Sequence, residues 1–234
     1  STTAYTKLFR EERERPVLVA VDLRSNMHFA TQGCFKSVNA SRAAALIAWA
    51  AHHRGDRLGG LIFGDTTHRE LKPRLGRRAA LRFVHELAEH PDWQRGTGEP
   101  TSEDALTQAM SALRRVARPG SLVVVISDFA GFTRAAQSYL SSVARHNEVL
   151  AVFLNDPLER QLPPPGRYRL VAPDDEIAID TYAAPARRDY EQAFEKRLLE
   201  LESFCQRYGV HLRPMSTDDD PVAPLQTALR RRTH

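Results

Sequence analysis

The stretch PVLVAVDLRSNMHF, residues 16–29, decides the fold. Val17 to Val21 form a continuous apolar run after a proline, which is typical of a strand covered on both faces. The run ends directly in Asp22, and a polar cluster with an arginine two residues later follows. A carboxylate at the tip of a buried strand calls for a structural or a functional reason.

The same pattern recurs along the chain. Helix-forming segments alternate with short apolar runs, and the run SLVVVIS at 121–127 again reaches an aspartate, Asp128. Such alternation predicts an α/β fold with three layers, in which a mainly parallel, Rossmann-like central sheet carries helices on both faces. The predicted strands are 17–21, 57–63, 121–127 and 148–154, and the predicted helices are 39–53, 77–90, one ending near 117, and 133–145.

The remaining segments complete one domain. HRELKPRL, at 68–75, contains Pro73, which favours an edge strand. After PPPG we predict a hairpin at 167–171 and 176–180, and an amphipathic helix at 185–208 whose apolar stripe is core. A strand at 210–216 and a closing helix at 222–232 follow. We expect a single domain over 16–234, preceded by a lead-in at 1–15 that belongs to a longer upstream region.

The composition is that of an ordinary globular domain, with 42% hydrophobic and 26% charged residues. The pI is about 9.3, and four lysines stand against 29 arginines. Acidic residues are interleaved with these arginines without an aromatic and basic platform, so nucleic-acid binding is not favoured. The two cysteines lack metal-ligand spacing and suit a reducing compartment, which predicts a cytoplasmic location.

Polar residues gather at the predicted carboxyl edge of the sheet, where open parallel sheets bind their ligands. Carboxylate, amide and hydroxyl oxygens on loops suit a hard cation such as Mg²⁺ or Mn²⁺. The alternative is that these residues only close βα turns and cap helices, as Asp and Asn often do. The residues concerned are Asp22, Arg24, Ser25, Asn26, Asp65, Asp128 and Asp156.

Five segments together carry a family resemblance: VLVAVDLRSNM, CFKSVNASRAAALIAWAAHHRGDRLGGLIFGD, ARPGSLVVVISDF, LNDPLERQLPPPGRY and STDDDP. They resemble the bacterial domain-of-unknown-function 58 family, whose fold is similar to a von Willebrand factor A domain. The resemblance covers nearly the whole chain. It implies the fold, but the family name itself implies no biochemical activity.

Domains similar to von Willebrand A hold a metal-ion-dependent adhesion site. It consists of D-x-S-x-S after the first strand, a threonine from a later loop and an aspartate after the fourth strand, and a partner carboxylate completes the metal shell. The resemblance therefore implies a non-catalytic binding module. It assigns the aspartates to Asp22 and Asp128 and the threonine to Thr101, with Ser102 or Asp104 as alternatives. The loops that contain Ser102, Asp104, Asp65 and Asp156 are expected to contact the partner.

The two serine positions of that motif hold Arg24 and Asn26. The amide oxygen of Asn26 can still bind a hard cation, but Arg24 has donors and no acceptor. A guanidinium about 4 Å from a divalent ion opposes its binding by several kcal/mol at an effective dielectric constant of about 20. We therefore expect Mg²⁺ or Mn²⁺ binding to be weak or lost.

Three interpretations of Arg24 remain open in the sequence. The side chain swings into solvent and leaves a weakened metal site, or it pairs with Asp22 or Asp128 and replaces the metal as a built-in cation. In the third, Ser25 enters the site through a shifted loop.

Enzymatic motifs are missing from the sequence. RGTGEPTS, at 95–102, lacks the spacing of a P-loop or a dinucleotide fingerprint, and neither G-x-S-x-G nor H-E-x-x-H occurs. The best enzymatic alternative is a metal-dependent hydrolase or phosphotransferase that uses Asp22 and Asp128.

The resemblance also implies a partner, because relatives are often encoded beside MoxR-type AAA+ ATPases. It further implies additional upstream sequence, sometimes with membrane segments. Membrane attachment on the cytoplasmic side, through sequence absent from this chain, is therefore an expectation.

Overall fold

The computed structural model describes residues 15–94, 101–102, 104–172, 175–223 and 225. A six-stranded sheet forms its centre, with the strands β1 (Pro16–Asp22), β2 (Arg57–Phe63), β3 (His68–Arg74), β4 (Leu122–Ser127), β5 (Glu148–Asn155) and β8 (His211–Ser216). Their order in the sheet is β3-β2-β1-β4-β5-β8, and β3 alone runs antiparallel to its neighbour. The predicted α/β fold is confirmed.

Helices cover both faces of this sheet. One face is covered by α1 (Lys36–His53) and α2 (Arg77–Ala88). The other face is covered by α3 (Ala105–Val116), α4 (Arg134–Ala144) and α6 (Ala184–Tyr208). A single helical turn, α5 (Pro157–Arg160), follows β5.

The central strand β1 shows why its sequence is apolar throughout. Val17, Val19 and Val21 belong to the core beneath α1 and α2, whereas Leu18 and Ala20 belong to the core beneath α3, α4 and α6. Because successive side chains of a strand point to opposite faces, a strand covered on both sides has no polar positions left.

The edge strand β3 is antiparallel, as its alternating sequence and Pro73 favour. A bulge interrupts its pairing with β2 between Leu58 and Gly60. Gly59 is needed here, because a Cβ at that position would lie 2.6 Å from the carbonyl oxygen of Leu71 and 2.7 Å from the nitrogen of Pro73.

The predicted hairpin is confirmed as a separate two-stranded sheet of β6 (Arg167–Ala172) and β7 (Asp175–Asp180). The helix after it, α6, ends at Gly209, which adopts φ 68°. Its apolar stripe is core at Phe194, Leu201 and Cys205, but Tyr190 is 38% exposed and is not core.

Asp104 lies at the N-cap position of α3, and its side chain forms no capping hydrogen bond. Two further predictions have different outcomes. Helix α1 begins at Lys36 and not at residue 39, so it includes the polar segment that precedes its alanine-rich part. The predicted lead-in, apart from Arg15, and most of the predicted closing helix lie outside the described residues. Within the described ranges, no helix is both long and apolar enough to cross a membrane.

Candidate functional site

Two neighbouring central strands bring Asp22 and Asp128 to the carboxyl edge of the sheet. Val21 of β1 is in register with Ile126 of β4, so the residues that follow the two strands emerge side by side. Asp22 is 0% exposed and Asp128 is 1% exposed. Two carboxylates this deeply buried require positive partners or strong hydrogen-bond donors.

Arg24 is the partner of Asp22. Its Nη2 donates to Oδ2 of Asp22 at 2.7 Å, and its Nε lies 3.0 Å from Oδ1 and 3.1 Å from Oδ2. Nη1 donates to the carbonyl oxygen of Ala130 at 3.1 Å. With 1% of the residue exposed, the interpretation in which Arg24 swings into solvent is wrong. The interpretation in which it pairs with Asp22 describes the contacts in the structure.

Asp128 is surrounded by donors. Its Oδ2 accepts from Nζ of Lys36 at 2.8 Å and from the amide nitrogen of Asn26 at 2.7 Å, while Oδ1 accepts from the backbone N–H of Ala130 at 3.0 Å. Nη2 of Arg24 lies 3.6 Å from Oδ1. Two side-chain cations therefore lie against this carboxylate, and Asn26 turns its donor toward it and not its oxygen.

Lys36 is the site residue that sequence reasoning missed. It is 1% exposed and lies in the first turn of α1, and its Nζ also donates to Oε1 of Glu159 at 2.7 Å. A cation in the first turn opposes the helix dipole, so a lysine there is unfavourable unless negative groups surround it. The predicted helix began at residue 39, so the sequence did not mark Lys36 as a residue of the helix start or of the site.

The charges shift the pKa values of the paired groups in a consistent direction. Burial raises the pKa of Asp128, but the charges of Lys36 and Arg24 outweigh it and hold that pKa below its ordinary value. Burial lowers the pKa of Lys36, but the charges of Asp128 and Glu159 raise it above its ordinary value. The pKa of Arg24 is raised in the same way, against burial, mainly by Asp22. All three groups are charged near neutral pH.

A second cluster forms around Asp65, just after β2. Its Oδ2 accepts from the backbone N–H of Ser25 at 2.8 Å and its Oδ1 from that of Ser102 at 2.7 Å. The hydroxyls of Ser25 and Thr101 are 2.8 Å apart. One carboxylate thus ties the loop after β1 to the loop before α3. Asp104 is exposed and has no side-chain hydrogen bond to this cluster among the described residues.

A third cluster forms around Asp156, which is 0% exposed. Its carboxylate accepts from the backbone N–H and the hydroxyl of Thr31 and, at 2.7 Å, from the hydroxyl of Thr217. It also caps α5 in a capping box with Glu159. Because Glu159 bonds Lys36 as well, this cluster is joined to the one around Asp128. The carboxylates of Asp65 and Asp156 are therefore buried acceptors whose hydrogen bonds fix the surrounding loops.

Ser127, the last residue of β4, supports the turn that follows this strand, and sequence reasoning missed it too. Its hydroxyl donates to Oδ2 of Asp22 at 2.6 Å and accepts from the backbone N–H of Phe129 at 2.9 Å. Phe129 is buried with φ 53°, a left-handed conformation that is uncommon for a residue with a side chain. Such a conformation costs about 1–3 kcal/mol and persists only where its surroundings hold it.

The arrangement is therefore one of paired charges and hydrogen-bonded loops. Among the described residues, no group of three or more His, Cys, Asp and Glu side chains is placed so that it could hold a metal ion. The oxygens of Asp22 and Asp128 face side-chain donors instead.

Comparison with protein families identifies the family of this chain. The family described as "Protein of unknown function DUF58" matches residues 1–198. The chain belongs to this family. An uncharacterized protein of Mycobacterium tuberculosis is 29% identical over 229 residues, which cover 96% of this DUF58 chain and 69% of the relative.

Solved structures share the fold at low sequence identity. The conserved hypothetical protein BatB from Bacteroides thetaiotaomicron is similar with a TM-score of 0.55 and 14% identity, over 93% of this chain and 97% of BatB. A von Willebrand factor type A protein from Catenulispora acidiphila is similar with a TM-score of 0.45 and 11% identity, over 61% of this chain and 33% of that one. At such identities the likeness to BatB concerns the fold alone.

Proposed function

We propose that this DUF58 chain is a non-catalytic protein-interaction module of von Willebrand A type, in which side-chain cations take the place of the adhesion-site metal. The observation that carries the proposal is the pairing of the two strand-end aspartates: Arg24 bonds Asp22, and Lys36 bonds Asp128. The family supports a binding role by its fold, and this pairing supports a binding role without a metal.

The residues present do not fit a divalent cation. An ion that bridged Asp22 and Asp128 would have to displace the guanidinium of Arg24, which lies 2.7 Å from one carboxylate and 3.6 Å from the other. Asn26, which could offer its oxygen, donates from its nitrogen to Asp128. The contacts thus favour a degenerate metal site, and Mg²⁺ or Mn²⁺ has no part in the proposed mode of binding.

The enzymatic alternative receives no support from this geometry. As a nucleophile, Asp22 would need an accessible carboxylate oxygen, but the residue is 0% exposed. Both of its oxygens accept hydrogen bonds, from Arg24 and from Ser127. A hydrolase or phosphotransferase would have to break this network before each turnover.

The contact surface in this proposal consists of the loops at the carboxyl edge. Thr66, Asp104 and Gly131 are exposed there, while the clusters around Asp65 and Asp128 fix the backbone beneath them. With Arg24 and Lys36 already paired, the partner does not need to supply a carboxylate. The family resemblance makes a MoxR-type AAA+ ATPase the proposed partner, on the cytoplasmic side.

A calorimetric titration tests the metal-free site. We expect no Mg²⁺ or Mn²⁺ binding tighter than about millimolar to the unmodified chain, because Arg24 opposes the ion. The double variant Arg24→Ser with Asn26→Ser should gain binding, since it restores two oxygen ligands and removes the cation that contacts both Asp22 and Asp128. Tight metal binding to the unmodified chain would overturn this part of the proposal.

A binding assay with a purified MoxR-type ATPase tests the partner. Thr66→Arg combined with Asp104→Arg should weaken the complex at least about tenfold, since it places two cations on the proposed surface. Arg145→Glu, an exposed change near the end of α4 at the opposite edge, is the control and should bind as the unmodified chain does. Absence of a complex, or equal weakening by both variants, contradicts the proposal.

A further inference from the structure

A cleft of about 450 Å³ opens at the opposite edge of the sheet, between β3 and the end of α3. Four cationic side chains line it, from Arg57, Lys72, Arg115 and Arg118. Of its described lining residues only Glu70 carries a carboxylate, which lies 3.1 Å from Nη2 of Arg115. Its volume is within the range of small-ligand sites.

The fold gathers these cations from distant parts of the chain. Arg57 begins β2, Lys72 lies near the end of antiparallel β3, and the other two lie at and beyond the end of α3. The lining also includes apolar groups from Pro16, Leu18 and Val116. The cleft therefore combines a positively charged rim with an apolar part.

The stability of the fold accounts for only part of this charge. Arg115 and Arg118 lie at the carboxyl end of α3, where cations complement the helix dipole. Lys72 lies on the edge strand β3 and has no such reason to be cationic. Like charges around one cavity repel each other, and an anion bound among them would offset that repulsion.

We propose that this cleft binds the phosphate ester of a small molecule or of a phospholipid headgroup. The planar guanidinium groups of Arg115 and Arg118 can each donate two hydrogen bonds to two oxygens of a phosphate. Lys72 adds a further positive charge. The apolar lining receives the organic part of the ester. No aromatic side chain lines the cleft among its described residues, so it lacks the stacking surface that a nucleic acid or a nucleobase would use.

Two probes distinguish the sources of the phosphate. The first is sn-glycerol 3-phosphate, titrated while the backbone amide signals of Leu18 and Gly60 are followed by NMR. The second is vesicles of phosphatidylglycerol, compared with vesicles of phosphatidylcholine in a sedimentation assay. Shifts at these amides with the first probe indicate a soluble ester, and binding to the anionic vesicles alone indicates a lipid.

Paired variants locate the binding. Lys72→Gln with Arg118→Gln removes two exposed cations from the cleft and should weaken binding at least about tenfold, because charge-assisted contacts are lost. Arg145→Gln with Arg207→Gln removes two exposed cations elsewhere on the chain and should leave binding within about twofold. Thermal unfolding confirms that both variants fold. The proposal is overturned if neither probe binds, or if both variants weaken binding equally.

Discussion

The two edges of the central sheet use the same residue types in opposite ways. At the carboxyl edge, Arg24 and Lys36 are each 1% exposed and each bonded to an aspartate. At the amino edge, Lys72 and Arg118 are exposed and line a cleft in which Glu70 is the one acidic residue among the described lining residues. The two cations at the first edge belong to the interior, whereas Lys72 and Arg118 at the second edge are in contact with solvent.

The difference teaches that burial decides what a charge contributes. A buried ion pair depends on both of its partners, because removal of one partner leaves the other charge buried without water or a counterion. An exposed charge is screened and contributes little to folding. Loss of a buried cation should therefore reduce stability, and loss of an exposed one should reduce binding.

The largest expected effect is that of Arg24→Met. The substitution leaves Asp22 buried without its cation, so we expect it to lower the free energy of unfolding by about 3–5 kcal/mol. Urea denaturation measures the change. Arg145→Met, an exposed substitution of the same chemistry, should stay within about 0.5 kcal/mol. Equal losses for the two variants would remove the distinction between the edges.

Lys36→Met should come next, with a loss of about 3 kcal/mol near pH 7 and a changed pH dependence. In the unmodified chain Asp128 has a lowered pKa. It therefore contributes stability that is present above the ordinary pKa of about 3.9 and is lost as the pH falls through the lowered value.

Without Lys36, the largest group that lowers the pKa of Asp128 is gone, and burial raises that pKa. The variant should then gain stability as the pH falls from about 7 toward the ordinary pKa of about 3.9, whereas Asp128 makes no difference to the stability of the unmodified chain over that range. Urea denaturation across this range measures it, with the exposed Lys196→Met as the control. A variant whose profile runs parallel to that of the unmodified chain contradicts the prediction.

Asp65→Asn should have an intermediate effect at the carboxyl edge. The substitution removes the charge of the carboxylate that accepts hydrogen bonds from the backbone N–H groups of Ser25 and Ser102. This loss should reduce the free energy of unfolding by about 1–2 kcal/mol. Hydrogen exchange should accelerate at those two amides in particular. The exposed Asp218→Asn is the control, and unchanged exchange in the Asp65 variant would show that this carboxylate does not hold the loops.

The smallest effect is expected for the ion pair of Arg15 with Glu148 at the amino edge. Its atoms are 2.7 Å apart, but the side chains are 35% and 26% exposed. A double-mutant cycle with Arg15→Gln and Glu148→Gln should give a coupling of about 0.2–1 kcal/mol that weakens in high salt. A coupling as large as that between Arg24 and Asp22 would mean that exposure does not govern these pairs.

Much of the fold could be predicted from the sequence. Continuous apolar runs such as Val17 to Val21 mark strands covered on both faces, and Pro73 marks the edge. The strand-end positions of Asp22 and Asp128 follow from the same runs. These features are local, because periodicity and backbone chemistry within a few residues determine them.

The partners within the site could not be predicted in the same way. The sequence left three interpretations of Arg24 open, because the position of its side chain depends on Asp22, Ala130 and Asp128, which the fold brings together. Lys36 was missed because its charge opposes the helix dipole and makes sense only beside Asp128 and Glu159. The cleft likewise depends on the register of β3 against β2 and on where α3 ends.

A cation that is part of the polypeptide has no dissociation constant. Under the proposed function, the positive charge between Asp22 and Asp128 is present from the moment the chain folds, at any concentration of free metal. Chelators cannot remove it and competing ions cannot exchange with it. A domain built in this way would have one state, whereas a metal-dependent relative has a metal-free and a metal-bound state. Regulation of the interaction would therefore have to come from the partner.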